Sequence, residues 1–551
     1  MAVSLYSERY PAIGESHGLS AIAGSLRGAF GEAELQVALV DMVEWGEENA
    51  SRLAHVVSEF QPDILAIGLQ YGTFSFLQKN YANLRAAVRR PDALVVFGGP
   101  LATYLSDRLI NEIAGDAVVI LGEADEALPE LVRAWVSGRS DWSSVAGLRY
   151  RDRVRGVDIA TPRRLVDLKA VPPPSRLHLN RIAALGGEIF VETSRGCSWA
   201  ACTFCLRGLT DVHGRGFEFR RKSAEAVARD LTELAARGIR EVTIADEDFL
   251  GGDLGQTEEF VYQLLAMPLP QFRFDASATI HSIFSRRDTP GAAGRRKALV
   301  EALARAGLQK VFLGIESCSP TQLKRYAKGH TRNEAVAAAE LLRSLGVRVE
   351  IGVILFDPLC TLDEIEDSLQ FMRQHNLASV ASGISSELRL QTSSHYLDVL
   401  RKYERARDVA LHDPVFDPDT LMHSYRFADQ EVQRLYDSVQ LWNRRLHPLY
   451  YPSKSLSRFG ATGALGESVQ ELRTATNLFR DETCDAILSA IRHARVGRDF
   501  RMPFDLDIEA TARRLADAVV RALARREGPD AHPVIGRALV AARNVDALLT
   551  A

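Results

Sequence analysis

Residues 192–205 read Glu192-Thr-Ser-Arg-Gly-Cys197-Ser-Trp-Ala-Ala-Cys202-Thr-Phe-Cys205. Three of the chain's six cysteines therefore lie on one short stretch, directly after the apolar run Ile189–Val191. The run predicts a short strand, and the cysteines a loop leaving it. Thiolates gathered on one loop suit a metal centre. Three are one short of the four that an iron–sulfur cluster normally takes, which would leave one iron open. A Cys3His zinc site completed by His213 is a second reading of the same spacing. A structural disulfide fits poorly with an intracellular composition, and inert buried cysteines gain nothing from clustering.

Outward from this loop, 551 residues with ordinary apolar and charged content predict two or three domains with substantial cores. The net charge is −4 and acids and bases are interspersed, so no nucleic-acid surface is expected. No apolar run reaches membrane-spanning length, and no basic segment followed by an apolar one marks a secretory leader. The cysteine usage points to a reducing cytoplasm.

Residues 1–140 alternate short apolar runs with helical periodicity. The runs Val3–Tyr6, Leu35–Asp41, Ile64–Leu69, Leu94–Phe97 and Val118–Leu121 predict five parallel strands with helices on both faces, an α/β doubly wound sheet. Gly72, Gly98-Gly99-Pro100 and Gly122 follow successive strands. Ligands of such sheets bind at this carboxyl edge, where glycines let a bulky group approach the backbone. Residues 141–188 read as a connector, with a charged run at 151–155 and the stiff Val171-Pro-Pro-Pro174. A second β/α series spans 189–399, with strands expected at Ile189–Val191, Glu241–Ala245, Phe272–Ala276, Lys310–Ile315, Val347–Ile354 and Ala381–Leu390. Residues 400–551 show helical periodicity at Val432–Trp442, Cys484–His493 and Ala510–Arg525, and no clear strand.

The cysteine loop resembles that of the radical S-adenosylmethionine (SAM) enzymes, whose usual spacing is C-x3-C-x2-C; here it is C-x4-C-x2-C. The resemblance implies a partial β/α barrel and a 4Fe–4S cluster held by Cys197, Cys202 and Cys205. It implies SAM on the fourth iron, with Phe204 near the adenine. Ile244-Ala-Asp246-Glu247-Asp-Phe249 matches the acidic second-strand end that helps hold the SAM amino group in the family. Gly314-Ile-Glu316-Ser317 matches the fourth-strand end that contacts the SAM amino acid or ribose, and Leu323-Lys324-x-x-x-Lys328-Gly329 follows it as in many relatives.

The first domain is similar to the cobalamin-binding domain that precedes many radical SAM domains. Pro11-x-x-Gly14 with Gly18–Ala23, Gly98-Gly99-Pro100-x-x-Thr103 and Gly122-Glu123-Ala-Asp-Glu126 carry the similarity. It implies cobalamin contacts at Gly14, Gly72, Thr73, Gly98, Gly99, Thr103, Gly122 and Glu123. His17 lies where other cobalamin proteins place an axial histidine, although the strict D-x-H-x-x-G motif is absent. The expected activity is methylation of an unactivated carbon in a small-molecule or peptide natural product. Cyclisation or rearrangement without methyl transfer, and a non-catalytic iron–sulfur or cobalamin sensor, are alternatives. An electron donor such as flavodoxin or ferredoxin would be a partner.

Overall fold

Two parallel sheets account for most of the chain. The structure is a computed structural model and describes residues 1–11, 13–152, 156–206, 219–457, 468–496, 506–524 and 532–550. Strands β1 (Ala2–Ser4), β2 (Leu39–Asp41), β3 (Ile64–Gly68), β4 (Leu94–Gly98) and β5 (Val118–Ile120) pair in parallel in the order β2-β1-β3-β4-β5. Side chains alternate between two cores. Val95 and Phe97 of β4 join one apolar cluster, while Leu94 and Val96 join the other. That alternation is what helices on both faces require. Among them are His17–Ala29, Ala50–Phe60, Phe74–Ala87 and Ala127–Val136.

The stretch expected to be a connector does more than connect. Strands β6 (Leu148–Arg151) and β7 (Asp158–Ala160) extend the same sheet antiparallel beyond β5. β7 is a short edge strand and β6 buries only Leu148 and Tyr150 on one face, so neither has the continuous apolar run of an inner strand. The chain then runs along the first helix, where Ser175 N donates to Ser20 O at 2.8 Å. Arg176 is 1% exposed and pairs with Glu15 of the first domain and with Asp230 of the second.

The second sheet has the order β14-β13-β12-β11-β8, all parallel: β8 (Phe190–Val191), β11 (Glu241–Ile244), β12 (Arg273–Ala278), β13 (Leu308–Glu316) and β14 (Arg348–Val353). A two-stranded ladder of β9 (Ser194–Arg195) and β10 (Arg220–Arg221) flanks the cysteine loop. The sixth expected strand, at 381–390, appears only as the bridges Ile351–Ala381 and Phe356–Glu387. Helices Ala224–Ala236, Leu254–Ala266, Pro290–Ala306, Arg332–Ser344 and Leu362–Gln374 follow the strands. Each begins at a Ser, Asp or Thr that caps its first turn: Ser223, Asp253, Thr289, Thr331 and Thr361.

The C-terminal part is mainly helical, as expected, with one hairpin that the sequence did not reveal. Strands β15 (His412–Asp417) and β16 (Met422–Tyr425) form an antiparallel hairpin ahead of helices Gln430–Leu456, Ser468–Arg495, Leu506–Leu523 and Pro533–Arg543. The hairpin tip docks on the first domain. Gly72 N donates to Asp419 O at 2.7 Å, Arg9 pairs with Asp417 at 2.8 Å, and Leu421 enters the first domain's core. Arg513 and Arg521 make exposed pairs with Asp546 and Glu471. Among the described residues no helix is long and apolar enough to cross a membrane.

Candidate cofactor site

The cysteine loop is held from both ends. At its start Arg195 pairs with Arg220 across the small ladder. At its end Thr203 N donates to Tyr326 O at 3.1 Å, Tyr396 N donates to Thr203 O at 2.7 Å, and Thr203 Oγ1 donates to Arg325 O at 3.0 Å. Leu206, one residue past Cys205, is buried in the core of the first domain. Cys197, Cys202 and Cys205 are half-buried and free of disulfides, whereas Cys318, Cys360 and Cys484 are enclosed in the barrel and helical core. Burial pushes the Cys202 thiol up to about 11 and raises Cys197 as well. Beside them is Lys328, 7% exposed. Burial alone would depress it, but the charges of Cys202, Glu316, Cys197 and Cys205 hold it above the ordinary lysine range.

The acidic end of β11 divides its work. Asp246 is 3% exposed and accepts hydrogen bonds from Thr193 N at 2.8 Å, from the Thr193 hydroxyl, and from Ser194 Oγ at 2.6 Å. Burial lifts its carboxyl to about 6, against those hydrogen bonds. Its lone pairs serve the approach to the cysteine loop, and the next residue, Glu247, is half-buried. Asp248, which carried no assigned role in the sequence, is fully buried and accepts from Ser198 Oγ at 2.5 Å, Thr279 N at 3.1 Å and Ser282 Oγ at 2.8 Å. It ties the residue after Cys197 to the end of β12. Only its place in the D-E-D run could have signalled this.

Phe204 packs edge-on against Tyr326, with ring centroids 5.5 Å apart, and Lys328 Nζ is 5.9 Å from its ring centre. Glu316 has φ +70° and turns its carboxylate into the barrel over Gly314 and Gly352, with Lys328 Nζ at 3.8 Å. Ser317 differs from expectation. Its hydroxyl donates to Gln322 at 2.6 Å and accepts from Ser319 N at 3.0 Å, so it shapes the following turn.

Along the edge of the first sheet, Gly98 faces open space, with no atom within 4 Å of a Cβ placed there. Gly99, at φ +92°, would put a Cβ 2.6 Å from Leu69 O. Thr103 Oγ1 accepts from Gly122 N at 3.0 Å and fastens the two glycine loops together. Gly14 forms a bridge to Glu188. Gly72 and Thr73 depart from the expected platform: the hairpin covers Gly72, and Thr73 is fully buried with its hydroxyl bonded to Gln70 O at 2.8 Å. Glu123 is also committed, to Arg220 at 2.6 Å and Val166 N at 2.9 Å. Asp125 takes both Arg195 nitrogens, at 2.7 and 2.9 Å. Both ring nitrogens of His17 are buried and lack a hydrogen-bond partner among the described residues. Burial depresses its pKa, against the nearby charges of Glu192 and Glu15.

These residues fit the expected groups. Three soft sulfurs on one loop with a buried ammonium nearby suit an anionic iron–sulfur cluster. His213 lies outside the described residues. Open Gly98 and the orphaned His17 ring offer room and a donor at the sheet edge.

Comparison with known proteins agrees. The radical SAM superfamily model matches residues 191–372, and the B12 binding domain model matches residues 5–132. A 4′-phospho-dehydrooxetanocin synthase of Priestia megaterium is 24% identical over 449 residues, 72% of this chain and 59% of that protein. An uncharacterised methyltransferase of Pyrococcus horikoshii is 27% identical over 330 residues, 59% of this chain and 67% of that protein. The chain thus spans about three fifths of the first relative's length. The solved cobalamin-dependent S-adenosylmethionine radical enzyme OxsB, with aqua-cobalamin bound, superposes with a TM-score of 0.78 at 19% identity. That superposition covers 98% of this chain and 84% of OxsB, and shows the shared fold. The chain thus carries a B12-binding domain followed by a radical SAM domain, and these two domains imply cobalamin, a 4Fe–4S cluster and SAM as its cofactors.

Proposed function

We propose that the protein methylates an unactivated carbon of a small-molecule or peptide natural product. The observation that carries the reading is the join between Arg195 and Asp125. It brings the loop edge of the first sheet against the loop bearing the cysteines. A corrin at Gly98 and a cluster on Cys197, Cys202 and Cys205 would then border one cavity. When bound, the cluster supplies the electron for homolysis of SAM and cobalamin supplies the methyl donor. Asp246, Asp248 and the Tyr326–Tyr396 backbone hold the cysteine loop in shape. Glu247 and Glu316 present carboxylates for the SAM ammonium and ribose, a charge-assisted pairing. Phe204 offers an aromatic edge to the adenine. A reductant of the flavodoxin or ferredoxin class would deliver electrons, in a reducing cytoplasm.

Product analysis tests the reading. Anaerobically reconstituted protein with cobalamin, SAM, reductant and substrate should release S-adenosylhomocysteine alongside 5′-deoxyadenosine. Release of 5′-deoxyadenosine alone would favour rearrangement without methyl transfer. That second reading is supported by the relative named a synthase rather than a methyltransferase, and by two relatives named cyclases.

A further inference from the structure

The cysteine loop is one residue longer than the usual spacing, and the structure shows what the longer loop carries. Ala200 turns the chain with φ +43°, and Trp199 reaches the segment around Lys328. Its indole N–H donates to Ala327 O at 2.8 Å. Its ring lies tilted on His281, with centroids 4.6 Å apart, and His281 Nε2 approaches Lys328 O at 3.2 Å. Gly329, at φ +71°, lies under the same indole, where an added Cβ would overlap the six-membered ring. Trp199 and His281 therefore grip Ala327-Lys328-Gly329 at two successive carbonyls and at the α-carbon of Gly329.

The gripped tripeptide fixes one side chain that matters electrostatically. Lys328 is buried, and its Nζ lies 3.8 Å from Glu316 and 5.9 Å from the Phe204 ring centre, in the field of all three cysteines. A cation held at a buried position acts on a neighbouring charge more strongly than one free in water. Cluster potentials respond to net charge and to hydrogen bonds at sulfur.

We infer that Trp199 is a positioning residue that holds the Lys328 ammonium beside the cluster and so raises the cluster's reduction potential. The direction follows from charge, since reduction adds an electron and a fixed cation favours it. The inference rests on the assignment of Cys197, Cys202 and Cys205 as cluster ligands. It differs from plain core filling in what it requires of Lys328: the effect of Trp199 should pass through that ammonium.

The test uses the full chain, reconstituted anaerobically and assayed for iron, with the midpoint potential followed by electron paramagnetic resonance. Lys328→Gln should move the potential more negative, and Trp199→Ala should move it the same way. The double variant should move it no further than Lys328→Gln alone, because both act through one group. Trp199→Phe keeps the ring on His281 and loses the bond to Ala327, so it should fall between wild type and Trp199→Ala. Gly329→Ala, which pushes the indole aside, should resemble Trp199→Ala. A wild-type potential in fully loaded Trp199 variants, or additive shifts in the double variant, would overturn the inference. Loss of the cluster from every Trp199 and Gly329 variant, with Lys328→Gln still loaded, would overturn it too, leaving Trp199 a folding role. A wild type that loads no four-iron cluster would instead remove the cysteine assignment beneath it.

Discussion

Arg195 and Asp125 form a two-pronged ion pair across the junction of the two domains, with N–O distances of 2.7 and 2.9 Å. Arg195 also reaches Glu192 at 2.8 Å and stands two residues before Cys197. The side chains of Arg195 and Asp125 are 17% and 6% exposed. Removing one partner of a buried pair leaves the others uncompensated, at a cost of about 3–5 kcal/mol. Arg195→Ala should lower unfolding stability by that amount in denaturant titrations. It should also speed hydrogen exchange at residues 121–126. Unchanged exchange there would mean that the domains are held together elsewhere.

Glu192 gives this junction a pH dependence. Burial would raise its carboxyl, but Arg195 and Lys222 bring it down from the ordinary 4.5 to about 2. A depressed acid contributes stability that is present above the unfolded value and lost as pH falls through the folded one. The shift corresponds to roughly 3 kcal/mol. Wild type should therefore exceed Glu192→Gln in stability at neutral pH. The gap should close between about pH 4.5 and about pH 2. Urea titrations across that window check it, and a gap independent of pH would rule it out.

Much of this architecture is legible in the sequence because burial on both faces forces continuous apolar strands. Ile64–Gly68 and Leu94–Gly98 announce themselves in that way. Strands β6, β7 and β15 do not. β7 and β15 lie at an edge or on the surface, where Val415 is 74% exposed and nothing compels apolar alternation, and β6 is apolar on one face only, through Leu148 and Tyr150. The cysteine grouping is local and could be read directly. Asp246 could not, because its donors Thr193 and Ser194 lie more than fifty residues away in the chain. The same distance problem hid the cover over Gly72, which comes from Asp419.

For the cysteines, Ala variants at 197, 202 or 205 should each lose the visible absorption and iron of the cluster. Variants at Cys318, Cys360 or Cys484 should keep both, since those thiols are 1% exposed or less within the core. Because burial lifts the Cys202 thiol to about 11, loading must displace protons and should be favoured by alkaline pH. Iron counts after reconstitution at several pH values measure this. Full iron in a Cys202→Ala protein would refute the assignment.

The three acids after β11 should separate by phenotype. Asp248→Ala strands the donors of Ser198, Thr279 and Ser282, at about 1–3 kcal/mol for each group left unpaired. It should loosen the loop and reduce cluster retention. Asp246→Ala should behave alike through Thr193 and Ser194. Glu247→Ala should keep the cluster and weaken SAM binding by about 1.5–3 kcal/mol, the value of a hydrogen bond to a charged group. Calorimetric titration of SAM into loaded variants distinguishes them. Wild-type affinity in Glu247→Ala would place the ammonium elsewhere.

Gly98 and Gly99 are neighbours in sequence, yet they should fail differently. A Cβ at Gly98 meets no protein atom within 4 Å, so Gly98→Val should fold with stability close to wild type. Its methyls would occupy the space over the sheet edge where a flat macrocycle is expected. At Gly99 the backbone is left-handed and a Cβ comes 2.6 Å from Leu69 O, so Gly99→Ala should destabilise the domain itself. The measurement is visible spectroscopy after anaerobic incubation with hydroxocobalamin and gel filtration, beside thermal unfolding of the same samples. Gly98→Val should elute without cobalamin and with its cluster intact, because the cysteines belong to the other domain. Gly99→Ala should lose stability first, and any loss of cobalamin should follow from that. Cobalamin retained in full by stable Gly98→Val would move the corrin off this edge and remove the shared cavity on which the methyl-transfer reading depends.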